Sequence, residues 1–195
     1  MRTFSIKPSL TMRGRTFKGL RGYAGKPFHP PLTDIPVAAY VLAAVFDVIS
    51  AAGDEHKAWA HELWHAGTFV FLGGAAVSVL AAVTGLADWL TSTQKGTQAR
   101  RTANTHALIM VTVTLLTVAD IVWRVVQYDD RTTPVGVAVL SLVIAVLVSV
   151  GATYGGTLVF DYGFNVETAG DSPVWHVSET DVLPGHKTGP STGSS

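Results

Sequence analysis

The chain has 195 residues with 14 basic and 14 acidic side chains, so no net charge points to a polyanionic partner such as nucleic acid. Hydrophobic residues make up 48% of it and charged residues only 14%, against about 25% in an average soluble domain. The absence of cysteine excludes disulfides, cysteine-ligated iron–sulfur clusters and zinc–thiolate sites within the chain.

Three regions follow in order. Residues 1–28 are basic: the first 26 hold seven Lys or Arg and no acid, spread among Gly, Ser, Thr and Pro. This reads as a flexible cytoplasmic arm, with contact to anionic lipid as the functional alternative. No apolar stretch of signal-peptide length follows before Ile35, so no secretory signal is expected. Residues 29–160 hold four apolar runs, predicted as transmembrane helices at 35–52, 65–90, 104–126 and 134–160. Their middles are apolar all round and their polar residues lie at the ends, unlike the striped helices of a soluble bundle. The expected fold is therefore an all-α, integral membrane four-helix bundle. Residues 161–195, rich in Gly, Pro, Ser and Thr, form a polar tail expected to be disordered at its end.

Lys and Arg in the short connections set the expected orientation. The arm is basic, and Lys95, Arg100 and Arg101 stand between spans two and three without an acid after Asp88. Both termini are therefore expected on the cytoplasmic side of a plasma membrane. Trp59, Trp64, Trp89, Trp123 and Tyr128 fall near span ends, where interfacial anchors belong. Gly151 with Gly155, and Ala152 with Gly156, have the spacing of close helix contacts, either inside the bundle or across a homodimer seam.

Ionisable residues within such runs are costly and mark function or fixed pairing. His29, Asp34, Asp88 and His106 come from three segments and are expected at one depth on the cytoplasmic side. Two imidazoles with two carboxylates suit a divalent metal, and two His on different helices suit the axial positions of a haem iron. A plain hydrogen-bonded cluster, with Asp34 capping span one and His106 paired to Asp88, explains the same residues, as does a proton path. Near the other face Asp120 and Arg124 stand four apart and can pair, with Asp47 joining them as a structural ion pair or a proton relay. His61, Glu62 and His65 match H-E-x-x-H, the zinc-hydrolase pattern, with a third ligand available from Asp47, Glu55 or Asp120.

His29-Pro30-Pro31-Leu32-Thr33-Asp34-Ile35-Pro36, Asp47, Thr84-Gly85-Leu86-Ala87-Asp88-Trp89, Arg100-Arg101 with His106, and Gly155-Gly156-Thr157-Leu158-Val159-Phe160 occur in that order, followed by Gly163 and Val166. Over residues 25 to 166 this pattern resembles a bacterial, actinobacterial-type family of uncharacterised four-helix membrane proteins, often associated with Rieske iron–sulfur domains. Many members of the family it resembles carry His where Asp34 stands, so the resemblance implies a ligand or polar-network role at that position. The Rieske association implies electron transfer. Because this chain has no cysteine, any such centre belongs to a partner protein, and Trp175-His176-Val177 to Leu183-Pro184-Gly185 resembles the opening of, or linker to, a Rieske domain. The sequence thus leads to a membrane protein without catalytic activity of its own. It holds haem b or a divalent metal at His29 and His106, supported by Asp34 and Asp88, or anchors a redox partner. A non-catalytic scaffold and an outward-facing zinc hydrolase are the alternatives.

Overall fold

Four helices account for nearly all of residues 27–164, the part described by the structure, a computed structural model. The basic arm up to residue 26 and the tail from residue 165 lie outside the described residues. Helix α1 spans His29–Ala51, α2 Ala58–Ser92, α3 Gln98–Val126 and α4 Val135–Phe160. Each is long and apolar enough to cross a bilayer, and the protein is an all-α membrane bundle whose outer surface meets lipid.

Three helices start earlier than hydropathy predicts. The first begins at His29 rather than Ile35, because Pro30 and Pro31 occupy first-turn positions, where a missing N–H is no loss. Pro36 lies inside the helix and removes one internal hydrogen bond there. The second begins at Ala58, so His61 and His65 stand on helix rather than at its mouth. The third begins at Gln98, with the Thr97 hydroxyl accepting from the Arg100 N–H at 3.1 Å as its N-cap.

The buried polar residues face inward with small residues and a few large apolar ones, and most large aliphatic residues face outward. On α1 the buried positions are Pro36, Ala39, Tyr40, Ala43, Ala44, Asp47 and Ser50, a stripe at helical spacing. Tyr40, Ala43, Phe71, Ala75, Val113, Ile144 and Val148 form the central core. Leu80, Val83, Leu86, Leu108, Val111 and Leu115 are exposed, as lipid permits. Helix α1 packs on both α2 and α4, and α3 packs on α4; α2 and α3 meet only sparsely.

The two helical hairpins repeat one another. Buried positions of α1 recur in α3 77 residues later: Pro36/Val113, Tyr40/Thr117, Ala43/Asp120 and Asp47/Arg124. Those of α2 recur in α4 70 residues later: Gly67/Val137, Thr68/Ala138, Phe71/Ser141, Gly74/Ile144, Ala75/Ala145, Ala81/Gly151 and Asp88/Leu158. The packing departs from this two-fold pattern at one place. The α1–α4 seam is closed, whereas its counterpart between α2 and α3 is open.

Candidate functional site

The repeat brings two pairs of side chains together at opposite ends of the bundle. His29 and Asp47 stand 18 residues apart on α1, as do His106 and Arg124 on α3. At 1.5 Å per residue the pairs lie about 27 Å apart along the helices. One end therefore carries two histidines and the other a buried ion pair.

At the histidine end the ring centroids of His29 and His106 are 6.4 Å apart, with planes at 78°. His29 Nδ1 donates to the Ala81 carbonyl of α2 at 2.8 Å, and His106 Nδ1 donates to the Gly151 carbonyl of α4, also at 2.8 Å. A carbonyl only accepts, so each Nδ1 carries a proton, and in the neutral imidazole each Nε2 then keeps a lone pair. Carbonyl-anchored Nδ1–H is how a protein fixes the tautomer of a ligating imidazole. Both rings rest on a glycine four residues after the carbonyl. A Cβ on Gly85 would come within 2.6 Å of His29 Cε1, and one on Gly155 within 3.4 Å of His106 Cε1.

The expected four-residue belt is only partly assembled. Asp88 is buried on α2 at this end, but Asp34 is exposed and makes no N-cap hydrogen bond. Because α1 begins at His29, Asp34 is five residues into it and turned roughly 140° from the imidazole. His106 Nδ1 is taken by Gly151 rather than by a carboxylate. Among the described residues, no group of three or more His, Cys, Asp or Glu side chains is placed to hold a metal ion. Beside the histidines the α2–α3 connection is tied by Arg100, which stacks 3.9 Å from the Trp89 ring, and by Trp89 Nε1 donating to Asn104 at 2.8 Å.

At the other end Arg124, Asp47 and Asp120 are all fully buried. Arg124 Nε donates to Asp120 Oδ1 at 3.1 Å, and Nη1 donates to Asp47 Oδ1 at 3.2 Å and to Thr68 Oγ1 at 3.3 Å. Nη2 pairs with Asp47 Oδ2, completing a fork across α1, α2 and α3. The guanidinium lies 4.5 Å from the Phe71 ring and 5.3 Å from Trp64. Gly67 lets α2 approach here, since a Cβ on it would meet Asp47 Oδ1 at 2.9 Å. Among the described residues, Asp120 Oδ2 and Thr117 Oγ1 have no hydrogen-bond partner.

The H-E-x-x-H residues face the connection between α3 and α4. His65 stacks parallel to Tyr128 with centroids 4.5 Å apart and its Nε2 contacts the Tyr128 carbonyl at 3.2 Å, while His61 Nδ1 contacts the Asp130 carbonyl at 3.3 Å. Glu62 is exposed. Trp64, expected as an interfacial anchor, is wholly buried and donates to the Tyr128 carbonyl at 3.2 Å. One helical face of α2 thus locks the α3–α4 connection in place.

Sequence reasoning missed the partners Ala81, Gly85, Gly151 and Thr68, and the buried hydroxyl of Thr117. The equal 18-residue spacing of His29 to Asp47 and His106 to Arg124 was the available signal for the repeat. Comparison with curated proteins and with solved structures finds no match. The model of one family, described as predicted membrane proteins (DUF2231), matches residues 25–168, a stretch that contains all four helices and both buried clusters, and the chain belongs to that family.

Proposed function

We propose that this protein is a membrane subunit that holds one haem b between His29 and His106 and passes electrons to a redox partner. The observation that carries the reading is the pair of imidazoles, 6.4 Å apart, each with Nδ1–H fixed on a carbonyl of the neighbouring helix. Imidazoles this close, on different helices, are the residues that would hold one haem iron between them. A porphyrin supplies the four equatorial nitrogens, so two protein ligands suffice; a divalent metal needs a third or fourth, and among the described residues no such group is assembled. The sparse α2–α3 seam gives the side on which a large planar ring could enter between helices. A haem held there would supply one-electron redox chemistry. The chain's own contribution is to fix both tautomers and both ring orientations and to keep the surroundings apolar.

The distribution of Lys and Arg supports placing the histidine end at the cytoplasmic face of a bacterial plasma membrane, with any Rieske-type or other redox partner on that side. The test is the visible spectrum of protein purified from haem-replete cells. A reducible b-type spectrum lost in His29→Ala and in His106→Ala is expected; a colourless preparation from such cells overturns the reading.

A second reading rests on the same hydrogen bonds. Each imidazole already satisfies a helix carbonyl of the neighbouring helix and fills the space beside a glycine, so the pair can serve as clamps in a non-catalytic scaffold. Under that reading both variants lower thermal stability and the wild type is colourless.

A further inference from the structure

The buried cluster at the ion-pair end has one more acid than it can neutralise. Two carboxylates, Asp47 and Asp120, share the single guanidinium of Arg124, and all three side chains are removed from solvent. The two acids are not equivalent. Asp47 is paired at both oxygens: Oδ1 receives Arg124 Nη1 at 3.2 Å and the Thr133 hydroxyl at 3.5 Å, and Oδ2 receives Nη2. Asp120 is paired only at Oδ1, through Arg124 Nε. Among the described residues its Oδ2 is buried with no partner, and so is the hydroxyl oxygen of Thr117, one turn back on the same buried face.

Among the described residues, the groups around Asp120 supply no second cation. Its own helix offers Arg124, and α1 offers Asp47, which repels it. Helix α2 faces the guanidinium with Thr68, Phe71 and Trp64, none of them ionisable, while His65 is engaged by Tyr128. Helix α4 has no ionisable side chain but Tyr154, toward its other end. An unneutralised carboxylate in an apolar interior is so costly that such groups take up a cation or a proton instead. A metal ion requires a shell of about six oxygens; the free acceptors here are one carboxylate oxygen and one hydroxyl oxygen, which fit a proton.

We infer that Asp120 Oδ2 is an exchangeable proton-binding site in the membrane interior. Uptake of H+ from water forms one O–H bond at Oδ2 and brings the cluster to zero formal charge. The new hydroxyl is a donor on the buried face of α3 that also carries Thr117. This site does not depend on the haem reading, and it stands or falls separately.

The experiment is infrared spectroscopy of the full chain in liposomes, in H2O and D2O. It is performed above about pH 5, where exposed carboxylates are ionised. Asp120→Asn is the central variant, because its side-chain carbonyl still accepts from Arg124 Nε and its shape is unchanged. A protonated-carboxyl band that shifts in D2O, disappears in Asp120→Asn and survives in Asp34→Asn is expected. Absence of the band in the wild type overturns the assignment, as does its persistence in Asp120→Asn. If the band is absent and sodium raises the melting temperature of the wild type but not of Asp120→Asn, the site holds a metal cation and the proton assignment is also overturned.

Discussion

Arg124 is the residue on which the interior most depends. It touches α1, α2 and its own helix through four hydrogen bonds and covers two aromatic rings. Removing one partner of a buried pair leaves an uncompensated charge, which costs about 3–5 kcal/mol. Arg124→Ala should therefore lower unfolding stability by that order in a denaturant titration of the detergent-solubilised protein. Arg124→Lys keeps the charge but cannot form the fork to Asp47, so it should fall between Ala and wild type. Replacing all three members together (Asp47→Asn, Asp120→Asn, Arg124→Met) should recover most of the loss of Arg124→Ala, because no charge is then stranded. The Asp120–Arg124 contact was legible in the sequence, since four-residue spacing on a helix brings side chains together whatever surrounds them. The placement of Asp34 was not. Its facing depends on where α1 begins, and the Pro30-Pro31 pair disguised that start as extended chain.

At the scale of elements, the fold is assembled by polar clamps between hairpin mates. His29 of α1 engages Ala81 and rests on Gly85 of α2; His106 of α3 engages Gly151 and rests on Gly155 of α4. The two glycines have equivalent positions but unequal room. A Cβ at Gly85 would overlap the His29 ring at 2.6 Å, whereas one at Gly155 would stand 3.4 Å from His106. Gly85→Ala should thus displace the His29 ring, cost about 1–3 kcal/mol as overpacking does, and weaken any cofactor absorbance. Gly155→Ala should be nearly silent in melting temperature and spectrum. Equal effects of the two substitutions would contradict the geometry. Hydropathy made the helices legible because 20-odd apolar residues have few other fates. The clamps were hidden because their acceptors are backbone carbonyls, which no side-chain pattern reports.

At the scale of the whole molecule, the two-fold repeat puts chemically different pairs at opposite ends of one bundle. The repeated positions are His with His at one end and Asp with Arg at the other, so the duplication is symmetric in shape and asymmetric in charge. A cofactor held by the histidines would lie near one membrane surface, about 27 Å from the ion pair along the helices. Electron transfer would then proceed with a partner docked on the face of the Lys95 connection, and exchange at Asp120 would proceed from the other. Orientation therefore decides which compartment each site serves. The chain has no native cysteine, so single cysteines report it cleanly. Lys95 and Asp130 are exposed on the α2–α3 and α3–α4 connections. A membrane-impermeant maleimide added to right-side-out vesicles should label Asp130→Cys at once and Lys95→Cys only after permeabilisation. The opposite pattern would invert the proposed topology. The redox partner would then have to lie outside the cell, and the proton on Asp120 would exchange with the cytoplasm.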